Sequence, residues 1–252
     1  MIKLKNTDVY GFEAAIRGMR NPWNSWEKSD SVYSDAHNCE ECAHKEDFSV
    51  CHSNPIYNCF DFIIGDNDLA LMKKLVSAGT DHSKFMRMIN VTVDITAPLY
   101  WWKEMDTYKV GTVRNSCSTM HTITDKEFTL DDFSYEHLID TDREIHSKLL
   151  RLIPVTTVLE SVICELNYNR EKYLETKDKL YWWQIIQLLP SSYNQRATVQ
   201  LNYAVLQNIY HSRRNHRLDE WKDFCRWIET LPYSELIAGE ETARNGWAKM
   251  GS

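Results

Sequence analysis

The 252-residue chain contains no run of 18 or more apolar residues, so no segment is long enough to cross a bilayer as a helix. Its opening, MIKLKNTDVYGFE, lacks the apolar stretch of a secretory signal, and a soluble, cytoplasmic protein is expected. An excess of basic residues is also missing: 29 Lys and Arg stand against 36 Asp and Glu, a net charge of −7. Nucleic-acid binders draw much of their affinity from a basic face, so no nucleic-acid partner is expected, although a local basic pocket is compatible with this balance. Seven cysteines are too few and too unevenly placed for a secreted disulfide scaffold. What remains is ordinary globular composition, 43% hydrophobic and 26% charged, with enough chain for one large domain or two small ones.

The most informative stretch runs from His82 to His121. Ile89, Val91, Val93 and Ile95 alternate with Asn90, Thr92 and Asp94, which predicts a strand with one buried face. Ala97-Pro98 ends it, and Pro98 suits a first helical turn because its missing N–H has no partner there anyway. A helix is predicted over Leu99 to Thr107, carrying Trp101, Trp102 and Met105, followed by a polar loop from Tyr108 to His121. Lys109, Arg114, Cys117 and His121 punctuate that loop, so strand, helix and loop together form a scaffold for an anionic ligand. Adjacent tryptophans at Trp101-Trp102 and Trp182-Trp183 read as core, with the wall of a flat-ligand pocket as the other reading.

Elsewhere the pattern is mixed strand and helix first, then helical. Residues 36–59 form a cysteine-rich insertion in which Cys39, Cys42, Cys51, Cys59, His37, His44 and His52 are ligand types that zinc uses. The spacing departs from paired zinc motifs, and a surface loop of reduced thiols, with no metal site, is the preferred reading. Phe60 to Ile64 reads as a short strand and GDNDLALMKKLVSAG as a helix, capped by Asp66 or Asn67, with Leu69, Met72, Leu75 and Val76 on one face and Gly79 at its end. The acidic ITDKEFTLDDFSYEHL reads as a surface loop. Helices are predicted from Ile145 to Leu152, Val158 to Leu174, Tyr181 to Leu189 and Thr198 to Arg213, and another through Leu218, Trp221, Cys225 and Ile228. The basic run HSRRNHR at the end of the fourth reads either as a solvated helix end or as a phosphate clamp. This order predicts an α+β protein, a single domain over 1–252 with a loose tail at about 239–252.

The organising stretch resembles the flavin-dependent thymidylate synthases. That family has an early histidine before an alternating strand, then a proline, a helix with Arg-Gln, and a signature R-H-R-x-x-S-x-N-E-x-S-x-R-Y. Without a gap, His82 falls on the histidine, Pro98 on the proline, and Lys103-Glu104 on Arg-Gln. Thr107-Tyr108-Lys109 falls on R-H-R, Thr112 on the first serine, Arg114-Asn115 on Asn-Glu, Cys117 on the second serine, and Thr119-Met120 on the final Arg-Tyr. Lysine is a point charge without the fork that arginine offers a phosphate, so the signature is altered where it would grip an anion. The family's Asn-rich helix running into an arginine, a histidine and a glutamate is similar to LNYAVLQNIYHSRRNHRLDEW, with Asn202, Asn208, Arg213, His216 and Glu220 in those places. The resemblance spans roughly residues 60 to 232 and leaves the cysteine-rich segment outside.

The resemblance implies an antiparallel or mixed sheet with a helical C-terminal half, assembled as a homotetramer that binds FAD. It implies dUMP or a related pyrimidine deoxynucleotide as substrate, with NADPH and methylenetetrahydrofolate as co-substrates of a methyltransferase reaction. His82, Tyr108, Lys109, Asn208 and His216 would then contact the cofactor, and Lys103, Glu104, Asn115 and Arg213 the substrate. Cys117 reads either as a nucleophile toward a pyrimidine ring, its thiolate favoured by Lys109 or Arg114, or as a buried isostere of serine. A catalytically silent nucleotide-binding or interaction protein that keeps the fold is the alternative.

Overall fold

The computed structural model describes residues 2–33, 62–139 and 154–239. The cysteine-rich segment, the helix expected over Ile145 to Leu152 and the tail beyond 239 lie outside the described residues.

Strand β1 (Lys3–Tyr10) passes into helix α1 (Phe12–Arg20) through Gly11. Gly11 has φ +98°, and a Cβ there would lie 2.2 Å from the Met88 carbonyl oxygen, so only glycine fits this turn. Two short strands, β2 (Val32–Tyr33) and β3 (Phe62–Ile63), pair antiparallel, the second within the strand expected at 60–64. Helix α2 (Asp66–Ser77) is where periodicity puts it, but its cap differs. Gly65 is the N-cap, and the Asn67 and Asp68 amides donate to the Asp30 carboxylate at 2.9 and 3.1 Å. Neither Asp66 nor Asn67 caps the helix; a carboxylate from a distant part of the chain does.

Strand β4 (Asn90–Pro98) carries the expected alternation, with Val91, Val93 and Ile95 fully buried. Helix α3 (Leu99–Met105) follows directly, its first amides donating to the Tyr193 and Ser191 carbonyls at 3.0 Å each. The polar segment beyond it is more ordered than a loop: it holds strand β5 (Val113–Ser116) and helical turn α4 (Thr119–Thr122). Helices α5 (Val155–Thr176) and α6 (Lys179–Leu188) match the two expected there.

Strand β6 (Asn194–Asn202) corrects the sequence reading, which extended a helix back to Thr198. Ala197, Val199 and Leu201 are buried at alternate positions, a period of two, and β5 supplies an antiparallel partner from Val113↔Gln200 to Ser116↔Ala197. Helix α7 (Tyr203–Arg213) therefore starts at Tyr203, followed by α8 (Asp219–Glu229) and α9 (Glu235–Ala238). The sheet order is β1-β4-β6-β5, and the fold is α+β.

The chain divides into two compact units. The first comprises Met1–Thr7, Thr92–Gln200 and Arg213–Trp227. Its helical core joins Leu159, Ile163 and Leu166 of α5 and Ile185 of α6 to Ile123, Phe128 and Phe133. The acidic segment expected to lie on the surface thus supplies core aromatics, because its charges flank apolar residues that face α5. The Asn167 side chain fixes it, accepting from the Phe128 amide at 2.8 Å and donating to the Phe128 carbonyl at 2.9 Å. The second unit comprises Asp8–Val91, Leu201–Ser212 and Ile228–Ser252. There Phe12 meets Tyr203 and Tyr233 edge-on, and a buried Arg20–Asp68 pair ties α1 to α2.

Candidate functional site

Everything in this site belongs to the first unit and starts from α3. Trp101, Trp102 and Met105 are buried, which leaves Lys103 exposed and Glu104 half-buried on the other side of the helix. The Trp101 ring lies 4.8 Å from that of Trp221 and 5.6 Å from that of Phe224, so the start of α8 packs on α3. This aromatic contact sets Glu104 among three donors. Its Oε2 accepts from Arg213 Nη1 at 2.7 Å and from Trp221 Nε1 at 2.8 Å, and His216 Nε2 lies 3.5 Å away. His216 Nδ1 accepts from the Leu218 amide at 3.2 Å, which places the proton of the neutral ring on Nε2, facing Glu104. Arg213 also donates from Nε to the Tyr108 hydroxyl at 2.8 Å, and its guanidinium carbon lies 4.9 Å from the Trp221 ring.

Tyr108 also borders a cavity of about 390 Å³ whose wall includes Trp102, Met105, Lys109, Thr112 and Arg114. The Arg114 guanidinium sits 3.9 Å above the Trp102 ring, donates from Nη1 to both Asp106 oxygens, and from Nη2 to Gln195 at 2.6 Å. The Arg114 Nε and Thr112 Oγ1 atoms are buried without a hydrogen-bond partner, and Lys109 has none among the described residues. An unpaired ammonium beside two orphaned polar atoms is chemistry that suits an oxyanion. A second cavity, about 430 Å³, is lined by Glu136, Asp219, Glu220 and Asp223 and by Lys222 and Arg226. The last two pair with Asp219 and Asp223, and His137, which also lines it, lies 3.3 Å from Asp219, so no lysine or arginine among the described residues of this wall is left unpaired for an anion. Tyr100 donates to Glu220 in this wall, and burial together with that bond raises its phenol well above the usual range.

Of the residues singled out from sequence, Glu104, Tyr108, Arg213 and His216 converge, and Lys109 shares the neighbouring cavity with Tyr108. Lys103 and Asn115 are exposed, Asn115 opposite Thr198 in the β5–β6 pair. Cys117 is exposed too, which overturns the reading of it as a buried serine isostere. Its carbonyl accepts from Gln195 at 2.9 Å, so the backbone there is fixed while the thiol faces outward. His82 and Asn208 are exposed residues of the second unit, His82 in the turn after α2 and Asn208 on α7. Sequence reasoning missed the indole of Trp221, which reads as an apolar position because its N–H has no periodicity signal. It also missed the anchoring of Arg114 by Asp106 and Gln195.

No protein-family model and no curated protein sequence matches the chain. Among solved structures, the chain is similar to thymidylate synthase X (ThyX) from Helicobacter pylori, crystallised with FAD and dUMP. The two are 15% identical over 97% of this chain and 100% of that one, with a TM-score of 0.58. It is also similar to a UMP/dUMP methylase, PolB, from Streptomyces cacaoi bound with 5-Br dUMP: 13% identical over 99% of this chain and 95% of that one, TM-score 0.52. The fold is that of the flavin-dependent thymidylate synthases. At such low identity the flavin-dependent thymidylate synthase likeness extends to the fold, and the chemistry rests on this chain's own residues. Among the described residues no helix is long and apolar enough to cross a membrane.

Proposed function

We propose that the chain is a FAD-dependent enzyme that transfers a one-carbon unit to a pyrimidine deoxynucleotide, dUMP or a close relative. The observation that carries this reading is the juxtaposition of Arg213, His216, Tyr108 and Glu104 beside a cavity that holds a free lysine. The residues present suit FAD in the chemistry of their donors: Lys109 offers positive charge and Thr112 and Arg114 spare hydrogen-bonding atoms for a phosphate, and Met105 and Tyr108 offer an apolar wall. Lys109, Tyr108 and His216 would hold the cofactor. When bound, FAD supplies the electron transfer that the side chains cannot.

The chain's own groups bind and orient the nucleotide. Arg213, held flat by Tyr108 and Trp221, presents a fixed donor, and Lys103, Glu104 and Asn115 complete the substrate side. NADPH and methylenetetrahydrofolate as co-substrates and a homotetramer as the assembly belong to the same proposal. Purified protein is expected to release flavin on denaturation, and apo-protein to bind FAD and dUMP by calorimetry. A colourless protein that binds neither at high concentration overturns the enzymatic reading. A second reading, a catalytically silent nucleotide-binding protein, is favoured by Thr107-Tyr108-Lys109 standing where the family has R-H-R. Nucleotide binding without flavin would select it.

A further inference from the structure

The three donors around Glu104 describe a small anion site that the chain fills itself. Arg213 Nη1, Trp221 Nε1 and His216 Nε2 all point at one oxygen, Glu104 Oε2, at 2.7, 2.8 and 3.5 Å. A charged fork, an indole N–H and an imidazole N–H converging on one point form a receptor for an oxyanion, and here the oxyanion is a side chain. The pairing is through a single Arg213–Glu104 bond, so Glu104 Oε1 and Arg213 Nη2 have no partner among the described residues. Arg213 is thus neutralised but not saturated. An incoming phosphate would meet Glu104 as a like charge at close range, and would have to displace a carboxylate already bonded to two donors.

We propose that Glu104 is a specificity-determining residue that excludes anionic groups from Arg213, so that the part of a ligand received there is uncharged. The phosphate of a phosphorylated ligand then has to be gripped away from Arg213. The proposal deepens the pyrimidine-nucleotide reading and rests on it for the identity of the ligand; the exclusion itself rests on geometry and charge.

The test uses the full-length chain and the Trp221 indole N–H resonance, assigned by its loss in Trp221→Phe. Inorganic phosphate is titrated into wild type, Glu104→Gln and Glu104→Ala. Glu104→Gln keeps an acceptor oxygen for Arg213 and Trp221 while removing the charge, and Glu104→Ala empties the position. The expected result is an indole signal indifferent to phosphate in wild type. In the variants it should shift saturably, with an affinity gain of about tenfold or more over wild type. Saturable phosphate binding to wild type that disappears in Arg213→Met overturns the proposal, as does no gain in either folded Glu104 variant. A parallel titration with uncharged deoxyuridine separates the two readings: its failure to bind counts against the pyrimidine assignment, whereas the phosphate arm alone decides the role of Glu104.

Discussion

Two arginine–carboxylate pairs in this protein have the same chemistry and opposite surroundings. Arg20–Asp68 in the second unit is closed: the side chains are 5% and 0% exposed. Each guanidinium nitrogen and both carboxylate oxygens have a partner. Arg20 donates to Asp68 at 2.6 Å and to the carbonyls of Ser25 and Lys28, while Asp68 also accepts from Ser29, from the Ser31 hydroxyl and from the Ser31 amide. Burial alone would push the Asp68 carboxyl up, but these hydroxyls and the guanidinium outweigh it and hold the carboxyl below its ordinary value. Arg213–Glu104 in the first unit is open, with side chains 20% and 33% exposed and, among the described residues, an unused atom on each partner. A saturated buried pair can do nothing except hold structure; an unsaturated, half-exposed pair retains capacity for a ligand.

The sharpest way to break this contrast is to remove one acid from each pair. Asp68→Ala leaves Arg20 charged and buried and is expected to cost about 3–5 kcal/mol in urea unfolding. Glu104→Ala leaves Arg213 able to reach water, so a loss within about 1 kcal/mol is expected by the same measurement. Equal losses would erase the distinction. For ligand binding the order reverses. Lys109→Met is expected to weaken FAD binding by roughly ten- to a hundredfold, the worth of a charge-assisted bond to phosphate, and Arg213→Met to weaken dUMP binding by about tenfold; Arg20→Met, if folded, should bind both as wild type does. Calorimetry on the four proteins reads this directly.

A smaller effect concerns acid. Asp94 accepts from Thr198, Asn6 and Arg196, and these bonds lower its carboxyl to about 2. Because the folded state favours the ionised form, the stabilisation is complete above the ordinary aspartate value of about 3.9 and is lost as pH falls from there toward the folded value. The gap in urea midpoint between wild type and Asp94→Asn should therefore close across that interval. Smallest of all is Cys117→Ser. The exposed thiol is expected to contribute nothing to folding, and turnover should persist; loss of turnover by about a hundredfold or more would establish it as a nucleophile.

Much of the scaffold was legible from local pattern. The period-two run before Pro98 predicted β4, and helical spacing with proline and glycine stops predicted α2, α5, α6 and α8, because one buried face writes its repeat into the sequence. Pattern failed where partners decide. Residues 197–201 alternate in burial because they form a strand between β4 and β5, and Asp30 reaches the start of α2 from 36 positions before.

The candidate site divides the same way. By itself the sequence determined that a buried strand feeds an aromatic helix, and that Lys109, Arg213 and His216 lie on polar segments flanking that framework. Only the tertiary structure decided that Glu104 and Arg213, 109 positions apart, neutralise each other. It alone decided that the Trp221 indole joins them and that Cys117 faces outward. The reason is physical: burial periodicity is a local property of the chain, whereas the charge of a site is the sum over groups that meet only when distant segments pack.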